Sequence, residues 1–202
     1  MIRMWNLSHS VVFMLALLAL PAASYTIGDQ HFPDRLKASD SHPQLELNGA
    51  SIRSYYYLID TYVGLLYLEN PSTEADDILN DSGYKRIIYH ILVNRVSGRR
   101  IAKAMYEALQ LNVSREEARR LEDRLNQLVK MFDAKMQRGD EGYVDYVPGL
   151  GSRVVINGEV KGIIPGKDLY DALLRIWIGE HPVSRRFKQE ILNRNPAQVA
   201  DN

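Results

Sequence analysis

Strand-forming and helix-forming segments follow one another in four blocks along this sequence, and their order limits the fold more than any other feature. Residues 44–69 are rich in tyrosine, isoleucine, leucine and valine, a composition typical of strands. The remaining segments predict a strand at 85–93, helices at 98–112 and 114–136, strands at 142–147, 153–156 and 159–163, and helices at 167–178 and 184–192. Strands, helices, strands and helices in succession predict an antiparallel sheet with helices packed on it, the α+β class.

Local signals refine this prediction at several points. Ser114 with Glu117 three residues later forms a capping box, which places a helix start there. The dipeptide at 157–158 is Asn-Gly and predicts a type I′ hairpin between the last two strands. Asn48-Gly49 and Gly64 interrupt the first strand-rich block. Bulky residues occupy both faces of that block, so we expect the sheet to be covered on both sides there.

The first 24 residues have the three parts of an export signal. Arg3 provides the positive charge, residues 11–20 are apolar, and Ala22-Ala23-Ser24 provides small residues for cleavage. Ten apolar residues are too few to span a bilayer, which takes about 20; retention as an anchor is the alternative. We therefore predict a signal peptide at 1–24, a lead-in with one short strand at 25–43, a single domain at 44–194 and a loose tail at 195–202.

Composition excludes several classes of function. The chain has no cysteine, so a core without disulfides has to hold the exported protein together. It has 25 basic and 25 acidic residues, and removal of Arg3 with the signal leaves 24 against 25, a net charge of −1. This balance gives no field that attracts nucleic acid or an anionic membrane. We predict neither as a partner, and no membrane span after signal cleavage.

The short motifs that resemble cofactor or metal sites in this sequence are incomplete. The segment Gly149-Leu150-Gly151 has Val154 where a dinucleotide fingerprint needs its third glycine. Gly166-Lys167 is followed by an aspartate where a phosphate loop needs a hydroxyl. No two histidines after the signal have the i, i+4 spacing of a helical zinc site. The sequence predicts no cofactor and no metal.

Two segments near the ends of the domain together resemble the chalcone isomerase family. The first, residues 47–53, reads LNGASIR, and the second, residues 178–184, reads IGEHPVS. Between them the strand at 85–93, the helix opened by Ser97-Gly98 and the hairpin at 157–158 fall in the family's order. The resemblance spans roughly 44–192. It implies an open-faced β-sandwich, a large antiparallel sheet with helices on one face and a ligand cleft between the two layers.

The resemblance also implies which residues line the cleft. Arg53 matches the arginine with which the plant enzyme binds the phenolate of its substrate. The enzyme's remaining polar site residues align with Tyr62, Ile101, Ala108 and Ile176. Cyclisation of a chalcone needs donors aimed where charge develops on the ketone oxygen, and isoleucine and alanine supply none. We therefore predict no catalytic residues, with a chalcone-type intramolecular lyase or isomerase as an alternative.

An apolar cleft with one arginine suits a hydrophobic anion. In the fatty-acid-binding branch of the same superfamily an arginine and a tyrosine hold the carboxylate, so the resemblance implies that Arg53 and Tyr62 bind a fatty-acid-like ligand. In the plainer alternative, Arg53 pairs with Asp60 or Glu46, and Tyr62 is an ordinary sheet residue. Trp177 is interpreted as core packing. A third possibility is an accessory protein of the cell envelope. The family implies a bacterial protein exported to the periplasm.

Overall fold

The computed structural model describes residues 24–55 and 59–193. Apart from Ser24, the predicted signal segment lies outside these residues, and so does the predicted tail at 195–202. The prediction of a signal peptide and of export therefore stays a prediction. None of the helices in the described ranges has the length and apolar content that crossing a membrane requires.

Eleven strands and five helices make up the described part of the chain. The strands are β1 (Ser24–Ile27), β2 (Gln30–Pro33), β3 (Arg35–Leu36), β4 (Leu45–Tyr55), β5 (Ile59–Leu68), β6 (Lys85–Ile91), β7 (Val96–Ser97), β8 (Lys135–Met136), β9 (Glu141–Val147), β10 (Gly151–Ile156) and β11 (Glu159–Pro165). The helices are α1 (Ala75–Asn80), α2 (Gly98–Gln110), α3 (Arg115–Met131), α4 (Lys167–Ile178) and α5 (Arg185–Ile191). The lead-in contains three short strands where the sequence predicted one.

Seven of the strands form one antiparallel sheet in the order β11-β10-β9-β6-β5-β4-β3. Helices cover one face of it: α3 contacts β11, α4 contacts β9 and β10, and α5 contacts β4 and β5. The β1–β2 hairpin packs on the opposite face through β4. The predicted α+β class, with a large antiparallel sheet and helices on one face, is confirmed.

Two hydrophobic cores lie on the two faces of this sheet. The helix-side core is the larger and includes Leu66, Tyr89, Val144, Leu125 and Trp177. The hairpin-side core is formed by Tyr25, Phe32, Leu45, Ala50, Val63, Leu65, Tyr67, Tyr84, Ile88 and Leu92. The expected cover on both faces of residues 44–69 is confirmed, because the hairpin-side core packs on one face of β4 and β5 and α5 contacts both strands from the other.

Most local signals act as the sequence predicted. Asn157 and Gly158 both have positive φ, 50° and 80°, as a type I′ turn requires. The hydroxyl of Ser114 accepts a hydrogen bond from the Glu117 N–H at 3.1 Å and caps α3. Ser97 caps α2 in the same way.

Two local predictions are wrong. The helix predicted to reach residue 136 ends at Met131, because residues 135–136 pair with β7 instead. Asn48-Gly49 does not separate two strands but lies inside β4 at a bulge. There the Asn48 side chain accepts from the Ser72 N–H at 3.0 Å and donates to the Ile191 carbonyl at 3.0 Å, so it ties α5 to the sheet.

A buried charge cluster stabilises the hairpin-side face. The Asp145 carboxylate is fully buried and accepts hydrogen bonds from Arg86 at 2.6 and 3.0 Å, from Arg153 at 2.6 Å and from the Tyr84 hydroxyl at 2.7 Å. Arg153 also donates to the Ser41 carbonyl at 3.2 Å. One carboxylate thus holds two guanidinium groups and, through one of them, the lead-in segment.

The close contact between β5 and the helices predicts that Gly64→Ala destabilises the protein. A Cβ at Gly64 would lie 2.5 Å from the Phe187 ring and 3.1 Å from the Trp177 ring, so α4 or α5 has to shift. Overpacking of this kind costs about 1–3 kcal/mol, measured by urea unfolding. Gly142→Ala is the matched control, because a Cβ there meets only ordinary contacts at 3.5 Å or more. Equal stability of both variants would contradict the tight seating of the helices.

The charge cluster predicts a large loss of stability for Asp145→Asn. The change leaves Arg86 and Arg153 without their counter-ion, and breaking a buried pair costs about 3–5 kcal/mol. The control is Asp168→Asn, which breaks an ion pair to Arg124 of equal length, 2.6 Å, at a site where Asp168 is 53% exposed. That change should cost less than about 1 kcal/mol. Denaturant unfolding of both variants compares them directly; similar losses would argue against the cluster.

Candidate functional site

Arg53 and Tyr62 are direct cross-strand partners in the β4–β5 pair. Both face the helices. Ser51, two residues before Arg53 on the same side of β4, donates to the Glu190 carboxylate of α5 at 2.6 Å. Tyr62 packs on Phe187 of α5 at a ring separation of 6.2 Å. The two residues named from the sequence are thus adjacent on the helix-facing side, while their role in binding stays a prediction.

The Arg53 side chain is partly exposed. Its Nη1 donates to the Ser54 carbonyl at 3.0 Å, the one hydrogen bond this guanidinium makes within residues 24–55 and 59–193. The acids proposed as alternative partners are engaged elsewhere: Asp60 accepts from the Ser54 hydroxyl at 2.6 Å, and Glu46 pairs with Arg35 at 3.2 Å. A guanidinium has five N–H donors, so several remain available for an anion.

Tyr62 belongs to an aromatic cluster with Tyr89, Trp177 and Phe187. Its ring centroid lies 5.2 Å from that of Tyr89 and 6.4 Å from that of Trp177, with which it is stacked. Burial raises the pKa of the Tyr62 hydroxyl to about 12, although the Trp177 side chain and the Arg53 charge each act to lower it. Tyr62 therefore keeps its proton at neutral pH and can donate a hydrogen bond.

Trp177 is fully buried, as predicted for a core residue. Its indole N–H has no hydrogen-bond partner in the described part of the chain, and its ring stacks on that of Tyr62. Sequence reasoning assigned this residue to packing and missed its free donor. A signal was present, because Trp177 directly follows Ile176, one of the positions aligned with the enzyme's polar site.

The other positions aligned with the enzyme's polar site residues carry apolar side chains in apolar surroundings. Ile101 and Ala108 of α2 are partly buried against the helix-side core, and Ile176 of α4 is buried within it. These three positions offer no hydrogen-bond donor to a substrate. The region around Arg53 and Tyr62 thus combines a few donors with a large apolar surface.

Two cavities occur elsewhere in the described structure. The first, of about 500 Å³, lies between α1 and the ends of α2 and α4, with Arg175 and Lys188 in its wall. The second, of about 450 Å³, lies on the hairpin side and combines apolar Ile52 and Leu92 with Arg138. Neither is lined by Arg53 or Tyr62. Within the described ranges, no three His, Asp or Glu side chains come together as metal ligands do.

Comparison with known proteins places the chain in a family. The sequence model of the chalcone isomerase-like family matches residues 24–193. This chain belongs to the chalcone isomerase-like family. A fatty-acid binding protein of Arabidopsis thaliana (AtFAP1) has a similar solved structure, with a TM-score of 0.69 and 20% sequence identity over 89% of this chain and 100% of that chain. No curated protein matches the chain at a significant level.

Because the aligned positions lack donors, this chalcone isomerase-like protein should not cyclise a chalcone. We expect a 2′-hydroxychalcone to lose its visible absorbance at the uncatalysed rate in the presence of the protein. The physical reason is that Ile101, Ala108 and Ile176 cannot stabilise the charge that develops on the ketone oxygen. A plant chalcone isomerase under the same conditions is the positive control. A rate proportional to the concentration of this protein would contradict the expectation.

Proposed function

We propose that this protein binds a fatty-acid-like ligand without transforming it, and that Arg53 and Tyr62 hold the ligand's carboxylate. The observation that carries the proposal is the cross-strand pairing of Arg53 with Tyr62 on the helix-facing side of the sheet. There Arg53, whose guanidinium makes one hydrogen bond among the described residues, pairs with a residue of an aromatic cluster. The membership of the chain in the chalcone isomerase-like family and its fold, shared with a fatty-acid binding protein, support the same proposal.

The chemistry of the two side chains fits a carboxylate. The planar guanidinium of Arg53 can donate two parallel N–H bonds to the two oxygens of one carboxylate, a geometry that a single point charge does not provide. The hydroxyl of Tyr62 adds a third donor, since its pKa of about 12 keeps it protonated at neutral pH. A partly buried position strengthens these contacts, because less water competes for the donors.

The ligand's hydrocarbon tail requires an apolar path next to this head site. We propose that the tail lies towards α2, because Val93, Ile101 and Tyr106 pack on the helix-side core while remaining partly exposed. A tail lying there would bury apolar area at about 25 cal/mol per Å². The proposed ligand is therefore an amphiphile with an anionic head at Arg53 and a chain directed under α2.

The hairpin-side cavity gives a second place where an amphiphile could bind. Its apolar wall and Arg138 offer the same two kinds of contact on the other face of the sheet. Asp29 and Asp60 also line it, however, and their negative charges disfavour an anionic head. We therefore favour the Arg53 site, and the two sites can be separated by experiment.

The proposal predicts that Arg53→Met weakens fatty-acid binding. Charge-assisted hydrogen bonds contribute about 1.5–3 kcal/mol, so the dissociation constant of dodecanoate should rise about 10- to 100-fold. Isothermal titration calorimetry of the delipidated native protein and the variant measures this change. Mass spectrometry of lipid extracted from the purified native protein should also detect bound fatty acid.

Arg138→Met is the matched control, because it removes an arginine from the wall of the hairpin-side cavity. This variant should bind dodecanoate as the native protein does. If Arg138→Met lost dodecanoate binding while Arg53→Met kept it, the binding site would lie on the hairpin side instead. Absence of binding by the native protein would reject a ligand-binding function and favour the accessory role in the cell envelope.

A further inference from the structure

We propose that the exposed cations at the start of α2 form a surface that docks on an anionic lipid bilayer. We call this surface the α2 patch, and it consists of Arg95, Arg99, Arg100, Lys103 and Lys135. The choice of a bilayer as the partner rests on the proposed function. A protein that binds a fatty-acid-like molecule has to exchange it with membranes, because the apolar chain of such a molecule partitions there from water.

Positive charge is concentrated in one stretch of the sequence. Residues 82–106 contain six lysines and arginines and no aspartate or glutamate, although the whole chain has 25 residues of each sign. Lys85 of this stretch is buried and pairs with Asp81 at 3.3 Å. Arg86 is buried and pairs with Asp145 at 2.6 Å. The other four are exposed. The balanced charge of the whole chain, from which we predict no overall field, therefore conceals a local one that acts within a screening length of about 10 Å.

The helix and the β7–β8 pair bring these four side chains together with a fifth. Arg99, Arg100 and Lys103 lie within an arc of about 100° on α2, since successive helical residues are about 100° apart. This arc faces away from the buried side of the helix. Arg95 directly precedes β7, and Lys135 of β8 is the cross-strand partner of the residue that caps α2. All five cations thus surround the first turns of one helix.

Little opposite charge compensates the α2 patch. Its three arginines form no side-chain hydrogen bond or ion pair within the described ranges. Lys103 pairs with Glu107 at 3.8 Å, and both side chains are largely exposed. The other acid close to the patch in sequence is Asp133, two residues before Lys135. Five cations against two acids leave a local charge of +3.

The fold does not explain the two arginines in the first turn of α2. Backbone N–H groups at the start of a helix carry a partial positive charge, so cations are unfavourable there. Helices α1, α3 and α4 have acidic residues in their first turns, whereas α2 has Arg99 and Arg100. Helix α5 also begins with two arginines, but Arg186 there pairs with Glu190 at 2.6 Å. Charge that opposes local stability and has no partner in the protein is typical of a binding surface.

The α2 patch lies at the end of the sheet that carries the proposed head site. Arg53 pairs with Tyr62, and Tyr62 pairs with Ile91, the last residue of β6. The chain then continues from Ile91 through Arg95 into α2. Neighbouring strands are about 4.8 Å apart, so the backbones of Arg53 and Ile91 are about 10 Å apart. A bilayer that rests on the patch would therefore lie close to the head site.

A bilayer fits this surface better than a polyanion in solution does. Partly exposed apolar and aromatic side chains, Val96, Ile101 and Tyr106, occur on the same elements as the cations. Surfaces that combine lysine and arginine with such side chains are typical of proteins that lie on an anionic membrane. A nucleic acid would be attracted by the charges alone, so the experiment includes one as the competing partner.

The experiment measures binding to vesicles by sedimentation. Vesicles of phosphatidylcholine with one-third phosphatidylglycerol supply the anionic surface, and phosphatidylcholine alone is the neutral control. We expect binding to the anionic vesicles only. It should be lost when the salt is raised from about 0.1 M to about 1 M, because the screening length falls from about 10 Å to about 3 Å. Binding through the apolar segment at 11–20 would instead be equal on both vesicles and insensitive to salt.

Arg99→Gln with Arg100→Gln is the diagnostic variant. Each basic residue near an anionic surface contributes about fivefold to the partition coefficient, so this double change should lower it about 25-fold. Glutamine is as good a helix former as arginine, so α2 should still form. Arg119→Gln with Arg120→Gln is the matched control, because it removes two adjacent exposed arginines from α3, where Arg120 pairs with Glu116 at 3.4 Å. The control should bind the vesicles as the native protein does.

Lys103→Gln with Lys135→Gln is a second test that leaves both arginines of the first turn in place. It removes two other charges of the α2 patch and should also lower the partition coefficient about 25-fold. Both patch variants should bind dodecanoate as the native protein does, since neither changes Arg53 or Tyr62. Calorimetry checks this and shows at the same time that the variants are folded.

Three results would overturn the proposal. Equal binding to neutral and anionic vesicles would show that charge does not hold the protein on the bilayer. Equal losses in the α2 and α3 variants would show that the patch has no special role. Binding of a short single-stranded DNA as tight as that of the anionic vesicles would make the patch a general surface for polyanions. In each case the proposed function stands if Arg53→Met weakens dodecanoate binding.

The opposite outcome is equally distinct. If the native protein binds anionic vesicles through the α2 patch but binds no dodecanoate, the proposed function fails and the docking surface stands.

Discussion

The close approach of α4 and α5 to strands β4 and β5 is the contact on which both the fold and the candidate site depend. At Gly49 a Cβ would lie 2.3 Å from the Ile191 carbonyl oxygen, so the α5 backbone rests directly on the sheet. At Gly64 the missing side chain makes room for the rings of Trp177 and Phe187. Without these two small residues the helices would stand away from the strands, and the aromatic cluster around Tyr62 could not form.

The two faces of the sheet are covered in different ways. On the hairpin side, β1 and β2 cover an apolar surface, and the Asp145 cluster neutralises charges that a thin cover would otherwise leave half-buried. On the helix side the core is larger, and the polar side chains of Asn48, Ser51, Lys85 and Ser152 are also buried there. Within the described residues, the Ser152 and Tyr170 hydroxyls and the Trp177 N–H of this side lack hydrogen-bond partners.

Much of the fold could be predicted because its signals are local. The hairpin at Asn157-Gly158 depends on two adjacent residues that tolerate positive φ, and the start of α3 depends on one serine hydroxyl. The end of α3 could not be predicted in this way. It is decided by the pairing of residues 135–136 with β7, about 40 residues earlier in the chain. The strand break predicted at Asn48-Gly49 was wrong for the same reason, since the α5 segment that Asn48 contacts is distant in sequence.

The sequence by itself determined the α+β class and the family, because these depend on local patterns and on residue type. It also placed Arg53 and Tyr62 on neighbouring strands. Only the tertiary structure decided that these two are direct partners facing the helices, and that the Trp177 ring stacks on Tyr62. Strand register within the β4–β5 hairpin sets the first relation. The packing of α4 on β5 sets the second, between segments more than 100 residues apart.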